Sequence, residues 1–192
     1  GNDFNVRVKN VPNVGLHLDR SKQTAAYENK LNVHVDNIGK CGEIGVDIDG
    51  NDNFVYSAIV INCKIAIRNN GNTQYTYIHG WLDRFAKEYW SESVLFLDRT
   101  NTNGANITYL YADTYRYGLK TENYAFIIVH TYYALINTNE IPISDVIENK
   151  HITFSGNGSS VINTFETYHD ASLVLIVESS TVKPRVRVNN VK

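Results

Sequence analysis

Apolar and polar residues alternate in short runs through most of the chain. Residues 4–8, 14–18, 31–35, 44–48, 57–61, 65–67, 94–97, 107–111, 126–129, 152–154, 173–177 and 186–188 follow this pattern. A period of two sends successive side chains to opposite faces, so these runs predict strands. Asn, Gly and Asp stand between them, where turns need them. One stretch, 82–90, reads as a helix, with Asp83–Lys87 and Arg84–Glu88 four residues apart. Residues 21–29 are a weaker helical candidate.

The order of the runs says more than their number. Val8-Lys-Asn10 precedes Gly15-Leu-His-Leu18, Val35-Asp-Asn37 precedes Gly45-Val-Asp-Ile48, and Val60-Ile-Asn62 precedes Ala66-Ile-Arg68. Each unit is a strand, a polar corner, then a small residue and a second strand. Asn10, Asn37 and Asn62 stand 27 and 25 residues apart. A loose period in the twenties fits the coil of a right-handed parallel β-helix, whose stacked turns make one continuous core. Asn at each corner then bonds to the corners above and below. An antiparallel sandwich is the competing fold. It accounts for short strands, not for the recurrent Asn-then-Gly placement, and hairpin turn pairs are few: Asp49-Gly50, Asn70-Gly71, Asn103-Gly104 and Asn157-Gly158. The fold expected is therefore all-β, a parallel β-helix with a short helical loop insertion. Coils fill 1–140, and an irregular β region, either a closing coil or a small terminal unit, fills 141–192.

Composition narrows the partners. The 192 residues carry 18 Lys+Arg and 20 Asp+Glu, with 24 Asn and 13 Tyr. A net charge of −2 without a basic block argues against nucleic acid. No run of 18 apolar residues is present, which argues against membrane insertion. A surface rich in Asn and Tyr but poor in charge suits glycans. Met is absent, which points to a piece of a longer chain. Cys41 and Cys63 are read as free thiols rather than as a disulfide framework. The six His are scattered, with no zinc spacing, and Walker A, GxGxxG and GxSxG motifs are missing, so no cofactor or metal is expected.

Three segments carry a family likeness: Tyr77-Ile-His-Gly-Trp-Leu82, Ser93-Val-Leu-Phe-Leu97, and Tyr111-Ala-Asp-Thr-Tyr-Arg-Tyr-Gly-Leu119. Over roughly residues 4–140 the chain resembles the pectate-lyase-like β-helix of phage tailspikes. The resemblance implies a homotrimer on a virion tail, outside the cell, that recognises or cleaves a bacterial surface polysaccharide. It carries over no catalytic pair.

Candidate site residues come from the chain itself. Tyr75, Tyr77, His79, Trp81, Tyr89 and Trp90 crowd into sixteen residues where the coil pattern lapses, so the segment is expected to protrude as a loop. Aromatic faces suit pyranose rings. His79, Trp81, Tyr89, Trp90 and Tyr115 are the expected sugar contacts; alternatively Trp81, Phe85 and Tyr89, spaced by four, pack the helix onto the stack, which leaves Trp90 free to bind. Glycoside hydrolysis needs two carboxyls about 5 Å apart for retention or ~6.5–9.5 Å for inversion. Asp98 and Asp113 each follow a strand and are the expected pair if they lie one coil apart, although an Asp at a corner also serves turn amides. Asp47, Asp49 and Asp52 lack the EF-hand spacing, since Gly50 is fourth and Ala58 twelfth, and read as a solvated acidic face. The function expected is thus recognition of a polysaccharide by a tailspike-like protein, with Asp98 and Asp113 as the carboxylate pair if it also cleaves the chain. The alternatives are a non-catalytic adhesin or stalk module, or a lyase using Arg84, Lys87 or Arg116.

Overall fold

The computed structural model describes residues 1–19, 28–100, 104–122, 126–135, 151–155, 159–168, 172–176 and 185–191, with side chains up to residue 135 except 126 and 134. It is an all-β fold of two parallel sheets between which the chain alternates. The first sheet holds β1 (Asp3–Lys9), β3 (Lys30–Asp36), β5 (Asn53–Ile61), β7 (Thr73–Trp81), β9 (Ala105–Asp113), β11 (Phe126–Leu135), β13 (Ser159–Tyr168) and β15 (Arg185–Val191), in that spatial order. The second holds β2 (Val14–Leu18), β4 (Gly42–Ile48), β6 (Cys63–Asn69), β8 (Val94–Asp98), β10 (Tyr117–Thr121), β12 (His151–Ser155) and β14 (Ser172–Ile176). Each strand pairs in parallel with the strand two places on, as in Val33↔Ala58 and Ile44↔Ile65. No antiparallel pair occurs among the described residues, so the sandwich alternative does not hold.

The core lies between the sheets. Val33, Val35, Val55, Ala58, Val60, Ile78, Ile107, Leu110, Ile127 and Val129 from the first sheet meet Val46, Ile48, Ala66, Ile67, Leu95, Phe96 and Leu119 from the second. Tyr75 crosses between them and meets Phe96 edge-on at 5.1 Å. Four strands share a feature that a strict period of two hides. At 55–58, 75–78, 107–110 and 129–132 the order is buried, exposed, half-buried, buried. Two consecutive residues face outward, so each strand bends at the same level and the bends stack.

The corners follow the Asn pattern. Asn37 Oδ1 accepts from Val11 N at 2.8 Å, Asn62 Nδ2 donates to Asn37 O at 3.2 Å, and Asn62 Oδ1 accepts from Asp83 N at 2.8 Å. Asn10 and Asn62 have φ of 54°, a left-handed geometry that Asn tolerates. At the opposite edge Asn29 Nδ2 donates to Asn53 Oδ1 at 3.0 Å. Asn29, Asn37, Asn53, Asn62 and Asn69 are fully buried, so their bonds replace water at turns that the stack seals.

The aromatic segment departs from expectation. Residues 73–81 do not protrude; they are β7, and the insertion is confined to a 3-10 helix, Arg84–Glu92. Asp83 caps it, Oδ1 accepting from Phe85 N at 2.8 Å. Its packing face is Ala86 and Trp90, with Leu82 before them, whereas Phe85 is 55% exposed. The expected Trp81–Phe85–Tyr89 stripe is therefore not the buried one. The second helical candidate, 21–29, lies almost wholly outside the described residues, as does 136–150 at the expected boundary near 140. β12–β15 join the same two sheets as the strands before them.

Candidate functional site

The two expected catalytic carboxyls lie apart. Asp98 ends β8 in the second sheet, in register with Asn69 and Thr121. Asp113 ends β9 in the first sheet, in register with Trp81 and Leu135. The corner after Asp98 leads into Ala105, and Asp113 is eight steps further along β9, roughly 26 Å at about 3.3 Å per residue. No glycosidic bond spans that gap. Each acid is also held in the protein. Asp98 is fully buried, accepting from Asn69 Nδ2 at 2.8 Å, Thr100 N at 2.9 Å and Thr100 Oγ1 at 2.6 Å. Burial pushes its carboxyl above the ordinary Asp range, and the Thr100 and Asn69 bonds oppose that rise. Asp113 accepts from Thr114 Oγ1 at 2.8 Å. Both are corner acids that satisfy turn donors.

Two of the five expected sugar contacts belong to the core. Trp90 is 4% exposed, under the insertion. Tyr115 is 1% exposed and donates to Cys63 O at 2.7 Å. A Cβ at Gly80 would sit 2.7 Å from the Tyr115 ring, so Gly80 makes room for it. Neither ring reaches the surface. Tyr89 is half-buried on the insertion.

His79 and Trp81 do face outward, half-buried, on the first sheet. His79 belongs to an aromatic row across β7, β9 and β11, whereas Trp81 stands beside Asp113, outside that row. His79 stacks on Tyr111 with centroids 4.1 Å apart and planes 4° apart; Tyr77 stacks on Tyr109 at 5.6 Å and 10°; Tyr133 meets Tyr111 edge-on at 4.7 Å. Burial lowers the imidazole pKa of His79, and pushes the Tyr111 phenol up to about 12. Rings stacked along the sheet spend their faces on one another, which removes the surface that a pyranose would use.

The outer face of the second sheet offers a concave surface instead. A groove of about 330 Å³ runs across β6, β8 and β10 beside the end of the insertion. Its floor is Ile65, Val94, Leu97 and Tyr117, and its rim is Lys64, Ser91, Glu92, Lys120 and Glu122. Register explains the floor, since Ile65, Val94 and Tyr117 are direct neighbours, as are Leu97 and Lys120. Lys64 pairs with Glu92; their hydrogen bond raises the Lys64 pKa and lowers that of Glu92. Arg99 Nε bonds Glu122 at 2.9 Å. The Arg116 guanidinium and the Lys120 ammonium lie 5.5 and 5.3 Å from the Tyr117 centroid, within cation–π reach. An apolar floor with one aromatic ring and a charged rim fits a small polar ligand with one apolar face.

The two acids of this groove do not form a pair for hydrolysis. Glu92 stands two residues before Val94 and Glu122 one after Thr121, the partner of Asp98. Glu92 ends the 3-10 helix ahead of β8 and Glu122 lies past its far end, so the length of β8, about 13 Å from Val94 to Asp98, stands between their backbones. Sequence reasoning named neither Tyr117 nor Lys120 as a site residue. Gly118 and Leu119 both turn inward, so Tyr117 and Lys120 share the outer face three residues apart and no period of two marks them.

The acidic run is split by its strand. Val46 and Ile48 point inward and Asp47 outward, as expected, but Asp47 is 2% exposed because Arg68 covers it, Nε to Oδ1 at 2.8 Å. Among the described residues no helix is long and apolar enough to cross a membrane. Comparison with family models, curated proteins and solved structures finds no match.

Proposed function

We propose that the protein is a glycan-binding module, and that its two parallel sheets are the turns of a right-handed β-helix of the tailspike kind. Right-handedness is the rule for parallel crossovers. The groove across β6, β8 and β10 carries the reading: a sugar ring lies over Tyr117 with its apolar face on Ile65, Val94 and Leu97, and its hydroxyls reach Lys64, Glu92, Lys120 and Glu122. Binding without cleavage is favoured over hydrolysis because neither Asp98 and Asp113 nor Glu92 and Glu122 approach the separation that the chemistry demands. A bacterial surface polysaccharide as ligand, a virion tail as location and a homotrimer as assembly rest on the sequence resemblance.

The test is direct. The protein is titrated with capsule, lipopolysaccharide and teichoic-acid preparations while reducing ends and unsaturated uronate absorbance are followed. Saturable binding without product, weakened about tenfold or more by Tyr117→Ala at unchanged melting temperature, is the expected result. Binding insensitive to Tyr117→Ala would move the site elsewhere. Release of product would overturn the non-catalytic reading.

A further inference from the structure

The outer face of the first sheet carries a pattern that the groove does not use. β5, β7, β9 and β11 each turn five residues outward, within 54–61, 74–81, 106–113 and 128–135. Of these 20 positions (four strands of five) none is Lys, Arg or Glu, and Asp113 is the single acid. The chain is 20% charged, so 20 positions drawn without regard to place carry about four such residues, and outward positions ordinarily carry more. The second sheet follows that ordinary rule, with Glu43, Asp47, Lys64, Arg68 and Lys120 on its outer face. On the first sheet Tyr56, Ile59, Tyr77, Trp81, Tyr109 and Tyr133 stand where charge is expected. Phe54 and Tyr56 are 44% and 45% exposed, and the 3-10 helix packs against β6, in the other sheet. Charge returns at the margin, where β1 and β3 carry Arg7, Lys9, Lys30 and Asp36. An aromatic, uncharged centre with a charged border is the anatomy of a protein interface.

We propose that the outer face of β5, β7, β9 and β11 is where this chain binds a second copy of itself. Closed assemblies of identical chains form about rotation axes, which bring equivalent side chains toward one another. Lys then meets Lys and Glu meets Glu, whereas Ser, Thr, Tyr, Asn and Gln each donate and accept and so pair with their own kind. This face holds the second set and lacks the first. Its one acid, Asp113, is held at the corner, accepting from Thr114 Oγ1. The extent also fits. The six strands from β1 to β11 cover about 29 Å across, at ~4.8 Å each, and about 27 Å along, at ~3.3 Å per residue, which is roughly 800 Å², the share that each partner gives to a stable interface. The inference stands on this face and not on the tailspike likeness, and the glycan groove lies on the outer side of the other sheet.

Analytical ultracentrifugation of the whole chain, from about 1 to 50 µM, tests it. The expected result is a discrete species of at least twice the 21.8 kDa chain mass. Thr76 and Thr108 are exposed and side by side at the centre of the face. Thr76→Lys combined with Thr108→Lys sets like charges against each other across the contact and should weaken association about a hundredfold or more, with circular dichroism unchanged. Glu43→Lys, on the outer face of the second sheet, should assemble as the parent does. A monomer over the whole range, or an oligomer that the paired Lys substitutions leave intact, would overturn the proposal. Tyr117→Ala, which removes the ring of the glycan groove, should leave the assembled mass unchanged, so the two readings fail separately.

Discussion

Asp98→Ala separates a structural acid from a catalytic one. The carboxylate takes three hydrogen bonds, two from Thr100 and one from Asn69, and is fully buried. Asn69 Nδ2 retains Gly71 O at 2.7 Å after the change, whereas the Thr100 amide and hydroxyl lose this acceptor. A hydrogen bond to a charged group contributes about 1.5–3 kcal/mol, and relief of the carboxylate's burial offsets part of the loss, so the net destabilisation is about 3 kcal/mol. For a chain of this length that lowers the melting temperature by roughly 6–12 °C. Asp98→Asn keeps an oxygen for Thr100 but turns an amino group toward Asn69 Nδ2, and costs less, about 1 kcal/mol. The pH dependence has a definite sign. Because the folded carboxyl titrates above its unfolded value, the native state holds the proton longer. The contribution of this group to stability therefore falls as pH rises from the ordinary Asp range through the folded value, and is flat above it. Thermal unfolding between pH 3 and 8 reads all of this. An Asp98→Ala protein that melts within 1 °C of the parent would refute the corner role.

Three further outcomes follow from single contacts. Gly45→Ala places a Cβ 2.4 Å from Val60 Cγ1 and 2.7 Å from Ala66 O, so urea unfolding should show a loss of about 1–3 kcal/mol. Burial pushes the Cys41 thiol to about 11 and the Cys63 thiol to about 12; at pH 8 Cys41 should react with a disulfide reagent roughly 200-fold more slowly than an ordinary thiol, and Cys63 more slowly still. His79 is held neutral by burial, so the stability it contributes is lost as pH falls from about 6.5 through its lowered folded value, and His79→Tyr should flatten the melting curve over that window.

Much of the strand order was legible because an outward position on one strand sits beside an outward position on the next strand of its sheet, and the sequence repeats that choice. The Asn corners were legible for the same reason: Asn37 and Asn62 occupy equivalent turns. β7 was not. Thr76 and Tyr77 both face outward, so the alternation from Thr73 to Trp81 slips by one residue, and the run reads as an interruption. The same slip at 108–109 and 130–131 shows that it is a stacked bend. The shared order Thr76-Tyr77-Ile78-His79 and Thr108-Tyr109-Leu110-Tyr111 was the signal that it belonged to the repeat. Trp90 was misplaced by assuming that an aromatic off the 81–85–89 stripe faces water. The insertion rests on 82, 86 and 90, because Asp83 caps it and fixes its phase. The separation of Asp98 and Asp113 was not legible, since fifteen residues give a full crossing from one sheet to the other, and only pairing partners reveal which edge each acid occupies.

The place of the groove has a physical reason. Inward positions repeat because each must fit its counterparts above and below, and the aromatic row outside the first sheet is bound by the same stacking. Chemistry has freedom where a row changes character from strand to strand. The outward row His17, Asp47, Arg68, Leu97 and Lys120 does this. Its early members neutralise one another, Arg68 on Asp47, and close that part of the face. At Leu97 the row turns apolar, beside Val94 and Tyr117, just where the 3-10 helix raises a wall that ends in Ser91 and Glu92. A floor that loses its charges and a wall that stands over it make a concavity without any break in the stack. Replacing Ser91 by Gly and Glu92 by Ala, which lowers the wall but leaves Ala86 and Trp90 in the core, should therefore weaken the binding proposed for the groove; affinity unchanged by the pair of substitutions would show that the floor alone suffices.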